Sequence, residues 1–179
     1  KNDPNHLNLG IRYGYIEQLD DELLRISKES FDALSFNCYA LSPDHEKMNH
    51  ALEISGLPMI IGEYHFGTVD RGLAQSLWQV NSQKERGDAF QYYTENAFAH
   101  RGLIGTGWFR WIDQNINGRT DGENYNCGFI DVTDRPYPYM VDAAIEAAKS
   151  LYEIHSGTKT PFHQAPNAVG HSPIPDLWE

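Results

Sequence analysis

The sequence predicts an α/β fold in which a parallel sheet is covered by helices. Three observations predict it. Strand-like and helix-like segments alternate four times, each strand-like run is apolar and ends in polar or aromatic residues, and capping residues fall where the helices should begin or stop. Strict β–α alternation leaves two architectures, an open doubly wound sheet and a (β/α)₈ barrel.

Residues 6–13 (HLNLGIRY) read as the first strand, after a turn at Asp3-Pro4-Asn5. Residues 20–29 read as a helix capped by Asp20 or Asp21. Residues 33–39 (ALSFNCY) form a buried strand, and residues 44–55 a helix ended by Gly56. Residues 58–63 (PMIIGE) are the third strand, opened by Pro58 where a missing N–H is tolerated. Residues 64–80 have no clean period. Residues 82–101 are a helix capped by Ser82 and stopped by Gly102, and 103–112 (LIGTGWFRWI) the fourth strand. After a long loop, the last helix runs from about 136 to 155, with Asp134 as its cap and Pro136 early in it. The division is therefore 1–155 for the β/α body and 156–179 for a tail. That tail holds four of the nine prolines and is either ordered by contact or loose.

A dinucleotide-binding sheet needs a glycine-rich turn after its first strand. Gly105-Thr106-Gly107 lies inside the last strand and has no third glycine, and no phosphate-binding loop occurs. In either architecture, chemistry collects at the C-terminal ends of the strands.

The chain has 179 residues and a net charge of −11, with 14 Lys and Arg against 25 Asp and Glu. That balance argues against nucleic acid, which wants a basic patch, and against anionic lipid. It fits a neutral or cationic substrate. No run reaches the ~18 apolar residues of a membrane span. Cys38 and Cys127 are far apart, with no C-x-x-C, and read as free thiols, with a disulfide between them as the alternative. The chain starts at Lys1 with no signal-peptide pattern, so it is read as a piece of a longer or processed sequence.

The strand ends carry Arg12-Tyr13, Asn37-Cys38-Tyr39, Gly62-Glu63-Tyr64-His65 and Trp108 to Asp113. A buried carboxylate is costly unless paired, so Glu63 after Met59-Ile60-Ile61 is the sharpest feature. Its bland reading is a helix cap or a salt bridge with Arg12. Sugar recognition combines flat aromatic faces with Asn, Asp, Glu, Arg and His for hydroxyls. Trp108 and Trp111, three apart on a strand, should face opposite sides, one of them packed under a helix. The loop 113–131 is rich in Asn, Asp, Gly and Tyr, as a solvated loop or a substrate-binding loop would be.

Three segments, GEYHFGTVDRG (62–72), GWFRWIDQNINGRTDGENYNCGFIDVTDRPYP (107–138) and DPNHLNLGIRY (3–13), resemble the C-terminal half of glycoside hydrolase family 50, the β-agarases. The resemblance runs from about residue 3 to 150. It implies strands five to eight of a retaining (β/α)₈ barrel, at residues 6–13, 33–39, 58–63 and 103–112. By similarity Glu63 matches the nucleophile, Tyr39 the residue that supports it, and Trp108 or Trp111 the aromatic platform. Asn37, His65, Arg12, Asp113, Glu123 and Asn124 fall in segments that line or border the cleft. The implied substrate is a neutral galactan, with no cofactor or metal and a secreted or periplasmic location. The general acid/base of this clan follows an Asn at the end of the fourth strand. That strand is not in the chain, and no Asn-Glu dipeptide occurs. The missing half of the barrel is expected in the same or a second chain.

A retaining glycosidase needs two carboxyl groups about 5–5.5 Å apart, and these residues offer one. The rival readings are an incomplete carbohydrate-binding half-barrel or remnant, whose open edges dimerisation would close, and a retaining β-galactosidase acting on other substrates. A metalloenzyme is disfavoured because His45-Glu46 and His50 miss the H-E-x-x-H spacing by one.

Overall fold

A computed structural model describes residues 5–171. Its core is a four-stranded parallel sheet. The strands are β1 (Arg12–Tyr13), β2 (Leu34–Asn37), β3 (Met59–Tyr64) and β5 (Leu103–Trp108), hydrogen-bonded in that spatial order. Helices α1 (Asp21–Ser30), α2 (His45–Ser55) and α3 (Gln83–Phe98) lie between successive strands, and α4 (Pro138–His155) follows β5. A second, two-stranded antiparallel sheet joins β4 (Trp78–Gln79) to β6 (Val169–Gly170). The alternation read from sequence is thus an α/β parallel sheet. Asp3, Pro4 and residues 172–179 lie outside the described residues.

The helix starts follow the capping chemistry. The Asp20 carboxylate accepts from Leu23 N–H, Asp44 from Glu46 and Lys47, and Ser82 Oγ from Glu85, each satisfying donors that a helix start leaves free. Gly56 closes α2 in the left-handed region at φ 69°.

Three expectations are corrected. The first strand spans two residues, because Asn8 and Gly10 are drawn out of the ladder. Asn8 N–H bonds the Asp32 carboxylate, Asp32 N–H bonds Asn8 O, and Gly10 turns at φ 71°. The fourth strand ends at Trp108, where the chain turns to bond the 125–130 segment: Arg110 N–H reaches Cys127 O, and Phe129 N–H reaches Trp111 O. The last helix is capped by Tyr137, with Pro138 at its first position, and not by Asp134. Asp134 sits at φ 62° in a tight turn whose Asp131 carboxylate accepts from Thr133 and Arg135.

The apolar core lies between sheet and helices. Leu34, Phe36, Met59, Ile61 and Leu103 from the strands are fully buried against Leu24, Met48, Ala89, Tyr93 and Met140. Tyr64 stacks on Tyr93 at 4.0 Å between ring centroids, and its hydroxyl is hydrogen-bonded to Thr94. Cys38 and Cys127 are free and buried, and burial raises their thiol pKa values to about 11 and about 12.

Candidate active site

β3 carries an extra residue at the level where its chemistry begins. Phe36 of β2 faces Ile61 but Asn37 faces Glu63, and Ile61 and Tyr64 of β3 face Thr106 and Trp108 of β5. This bulge at Gly62 breaks the two-residue alternation. Ile61 and Tyr64 both turn to the core, and Glu63 is left on the opposite face. Two glycines make room there. A Cβ on Gly62 would meet the Arg12 side chain at 2.6 Å, and one on Gly107 would meet Gly62 O at 2.5 Å.

Glu63 is held by three neighbours from two adjoining strands or their ends. Arg12 Nη1 lies 2.7 Å from Oε1. Tyr39 Oη donates to Oε2 at 2.8 Å, and Asn37 Nδ2 donates to the same oxygen at 3.1 Å. The Glu63 side chain is 18 % exposed and that of Arg12 55 %. The carboxylate is thus charge-paired and hydrogen-bonded while still reachable from solvent. Burial first, and then donation to Glu63, raises the Tyr39 phenol pKa far above its usual range, so it stays a donor. Tyr15, half-buried after β1, is raised by burial and by the charges of Glu17 and Glu63. Sequence reasoning passed over Tyr15; its signal was an aromatic three residues past Arg12.

The other residues singled out divide into groups. His65 is buried between Tyr39, at 4.9 Å in an edge contact, and Phe109 and Tyr125. Burial lowers its pKa to about 3, so the ring is neutral. Its Nε2 accepts from Leu77 N–H at 3.1 Å, which puts the ring proton on Nδ1. Trp108 faces the helix layer, edge-on to Tyr64 and Phe90, with its indole N–H donating to Cys127 O. Trp111 is 69 % exposed and stacks on Phe129.

Asp113 is buried away from Glu63's partners. It accepts from the Asn126 amide, Gly128 N–H and, at 2.6 Å, the Tyr137 hydroxyl. Beside it the buried Arg86 donates to Asn126 O and Gly128 O and lies 4.4 Å from the Tyr137 ring centroid. Glu123 accepts from Gln114 and Arg119, and Asn124 Oδ1 accepts from Ala74 N–H. The structure therefore gathers Arg12, Asn37, Tyr39 and Glu63, with His65 against Tyr39, and sets Asp113, Glu123 and Asn124 into the bracing of the 113–128 loop. Among the described residues, no group of three or more His, Cys, Asp or Glu is arranged to hold a metal ion.

A parallel α/β sheet with a paired carboxylate at the C-terminal edge of a central strand defines the class: a β/α domain with charged and aromatic side chains gathered at its strand ends. Comparison with known proteins adds to this geometry. The chain is 37% identical over 156 residues to the Vibrio sp. (strain JT0107) protein "Beta-agarase A", covering 83% of itself and 16% of that protein. Among solved structures it resembles PfGH50B, at TM-score 0.79 and 38% identity, covering 85% of itself and 22% of that chain. It likewise resembles an exo-beta-agarase, at TM-score 0.78 and 36% identity, covering 85% of itself and 20% of that chain. No family model matches. The chain thus spans about a sixth to a fifth of the length of the proteins it matches.

Proposed function

We propose that these residues supply the nucleophile half of a β-agarase-type retaining active site. The four β/α units correspond to strands five to eight of a (β/α)₈ barrel, whose first half is supplied by sequence outside the 179 residues. The observation that carries this reading is the Glu63 carboxylate held at once by Arg12, Asn37 and Tyr39. The similarity to beta-agarases supports the substrate class, a neutral galactan.

In this reading Glu63 attacks the anomeric carbon of the bound galactoside. The glycosidic bond breaks, the leaving oxygen takes a proton from an acid on the other half of the barrel, and a glycosyl ester forms on Glu63. Water, deprotonated by the same group, then attacks the anomeric carbon. The ester bond breaks and returns Glu63 as carboxylate. Arg12, Asn37 and Tyr39 hold its two oxygens before attack and take up its charge again after hydrolysis. The acid is not assigned to Glu123, which is paired with Arg119 and bonded by Gln114 in the loop beyond β5. Trp111, with its exposed ring stacked on Phe129, offers the flat face that a sugar's C–H side needs.

The test is Glu63→Gln in the complete protein, measured by release of oligosaccharide from agarose. Loss of release with retained polysaccharide binding is expected. Activity within a few-fold of the parent would overturn the assignment.

A further inference from the structure

The segment between β3 and α3 has no periodicity, yet two of its residues reach back to the groups around Glu63. Leu77 N–H donates to His65 Nε2. Trp78 Nε1–H donates to Tyr39 O at 2.8 Å. Tyr39 in turn donates its hydroxyl to Glu63, and the His65 ring packs edge-on to the Tyr39 ring. The backbone of this segment is fixed on both sides. On the inside, Trp78 O accepts from Gly67 N–H and from Ser76 Oγ, and Val80 N–H donates to Gly67 O. On the outside lies the C-terminal segment. Trp78 pairs with Gly170 and Gln79 with Val169 in antiparallel register, and His171 N–H donates to Leu77 O at 2.7 Å.

The fit at Gly170 is close. A Cβ there would stand 3.1–3.3 Å from three atoms of the Trp78 indole. The glycine backbone therefore lies against the ring, which also meets Phe66 edge-on at 6.5 Å between centroids. Farther back, the same segment is anchored to α3: Phe162 N–H bonds the Glu95 carboxylate, and Phe162 O accepts from Asn96 Nδ2.

We propose that Trp78 is a positioning residue for the Tyr39–Glu63 pair and that residues 162–171 form a strap holding it in place. The proposal rests on the reading of Glu63 as nucleophile and goes beyond it. Tyr39 lies past the end of β2, where, among the described residues, no ladder bond fixes its carbonyl. The Trp78 indole supplies that constraint, and with it the direction of the phenol. A displacement of about 1 Å at such a group can cost on the order of a hundredfold in rate.

The experiment uses the complete protein and four variants: Trp78→Phe, Tyr39→Phe, their double, and Glu63→Gln. Trp78→Phe keeps an aromatic ring against Gly170 and Phe66 but removes the indole N–H. The readouts are kcat and KM on an agarose oligomer, with thermal unfolding as a check on folding. Trp78→Phe is expected to lower kcat about tenfold, with KM within about twofold and the unfolding temperature near the parent's. The double variant is expected to be no slower than Tyr39→Phe alone, since both act through one hydrogen bond. A wild-type kcat for Trp78→Phe, or a defect that multiplies with that of Tyr39→Phe, would overturn the proposal. An active Glu63→Gln would instead overturn the underlying reading, so the two failures are distinguishable. Should Trp78→Phe unfold, Gly170→Ala provides the second probe: it presses the strap off the indole, and the same kcat-selective loss is expected. Unchanged kcat in that variant counts against the strap.

Discussion

Two carboxylates at strand ends, Glu63 and Asp113, look alike in sequence and are opposites in the folded chain. Glu63 lies in β3 just past its bulge and takes its donors from elsewhere: Arg12 on β1, Asn37 on β2 and Tyr39 just beyond it. Asp113 follows β5 and takes its donors from its own loop and the start of α4: Asn126, Gly128 and Tyr137. The first draws distant strands to one solvent-reachable point. The second is sealed, and with the buried Arg86 it pins a long loop to the helix layer. The lesson is that a strand-end carboxylate is identified by who bonds it. Donors from several strands fit the proposed site at Glu63; donors from one loop and the helix start after it make Asp113 a fastening.

Substitutions sharpen that contrast. Glu63→Gln in the complete protein should lower kcat on the order of 10⁴-fold while leaving denaturant stability within about 1 kcal/mol. Asp113→Ala should do the reverse. It removes the acceptor of the Tyr137 hydroxyl and the Gly128 N–H, one acceptor of the Asn126 amide, and the foremost charge offsetting the buried Arg86, so unfolding in guanidinium should reveal a loss of about 3–5 kcal/mol. A stable Asp113→Ala protein with abolished chemistry would break the comparison.

A pH-dependent effect belongs to His65. Its folded pKa of about 3 lies below the unfolded value, so the unfolded chain binds the proton more readily. The stability contributed by the neutral ring is complete above about pH 6.5 and is lost as pH falls toward 3, at about 1.4 kcal/mol per unit traversed. His100, lowered to about 4 by burial and by the neighbouring His45, has the same sign. Thermal melts across pH 3 to 7 should show the decline, and a His65→Gln variant should flatten it; an unchanged slope in that variant would place the sensitivity elsewhere. Least affected should be Glu123→Gln, whose part-exposed pairing with Arg119 is worth about 1 kcal/mol or less. Agarose hydrolysis within about threefold of the parent is expected, and a loss comparable to that of Glu63→Gln would require Glu123 as a reacting group.

Much of this was legible in the chain itself. Asp20, Ser82 and Gly56 declare their helix ends because capping is a local interaction, while Asp44, read as helical, turns out to be the cap of α2. Glu63 declared itself because an ionisable group after Met59-Ile60-Ile61 has no packing reason to be there. What stayed hidden was set by contacts between distant segments. Leu7, Leu9 and Ile11 alternate like a strand but are exposed, and Asp32 takes the backbone of Asn8. Trp108 and Trp111 were separable by parity, but which one faced the helices depended on the pairing of Trp108 with Tyr64. Trp78 lay in a stretch without period, so only its isolation as a large aromatic in a loop marked it. The role of Asp113 depended on Asn126 and Tyr137, whose approach no spacing predicts.

The β4–β6 pairing has a consequence for the order in which the molecule is assembled. Leu77 and Trp78 belong to the first half of the chain, while their outer partners Val169, Gly170 and His171 lie near its far end. Contacts between distant segments carry a loop-closure cost and tend to form late. The β/α units can condense from neighbours in sequence, but the setting of Tyr39 awaits the arrival of the chain's last described residues. Competence would then trail compactness: during refolding of the complete protein, catalytic activity should return after the helical signal, by an interval that Gly170→Ala lengthens.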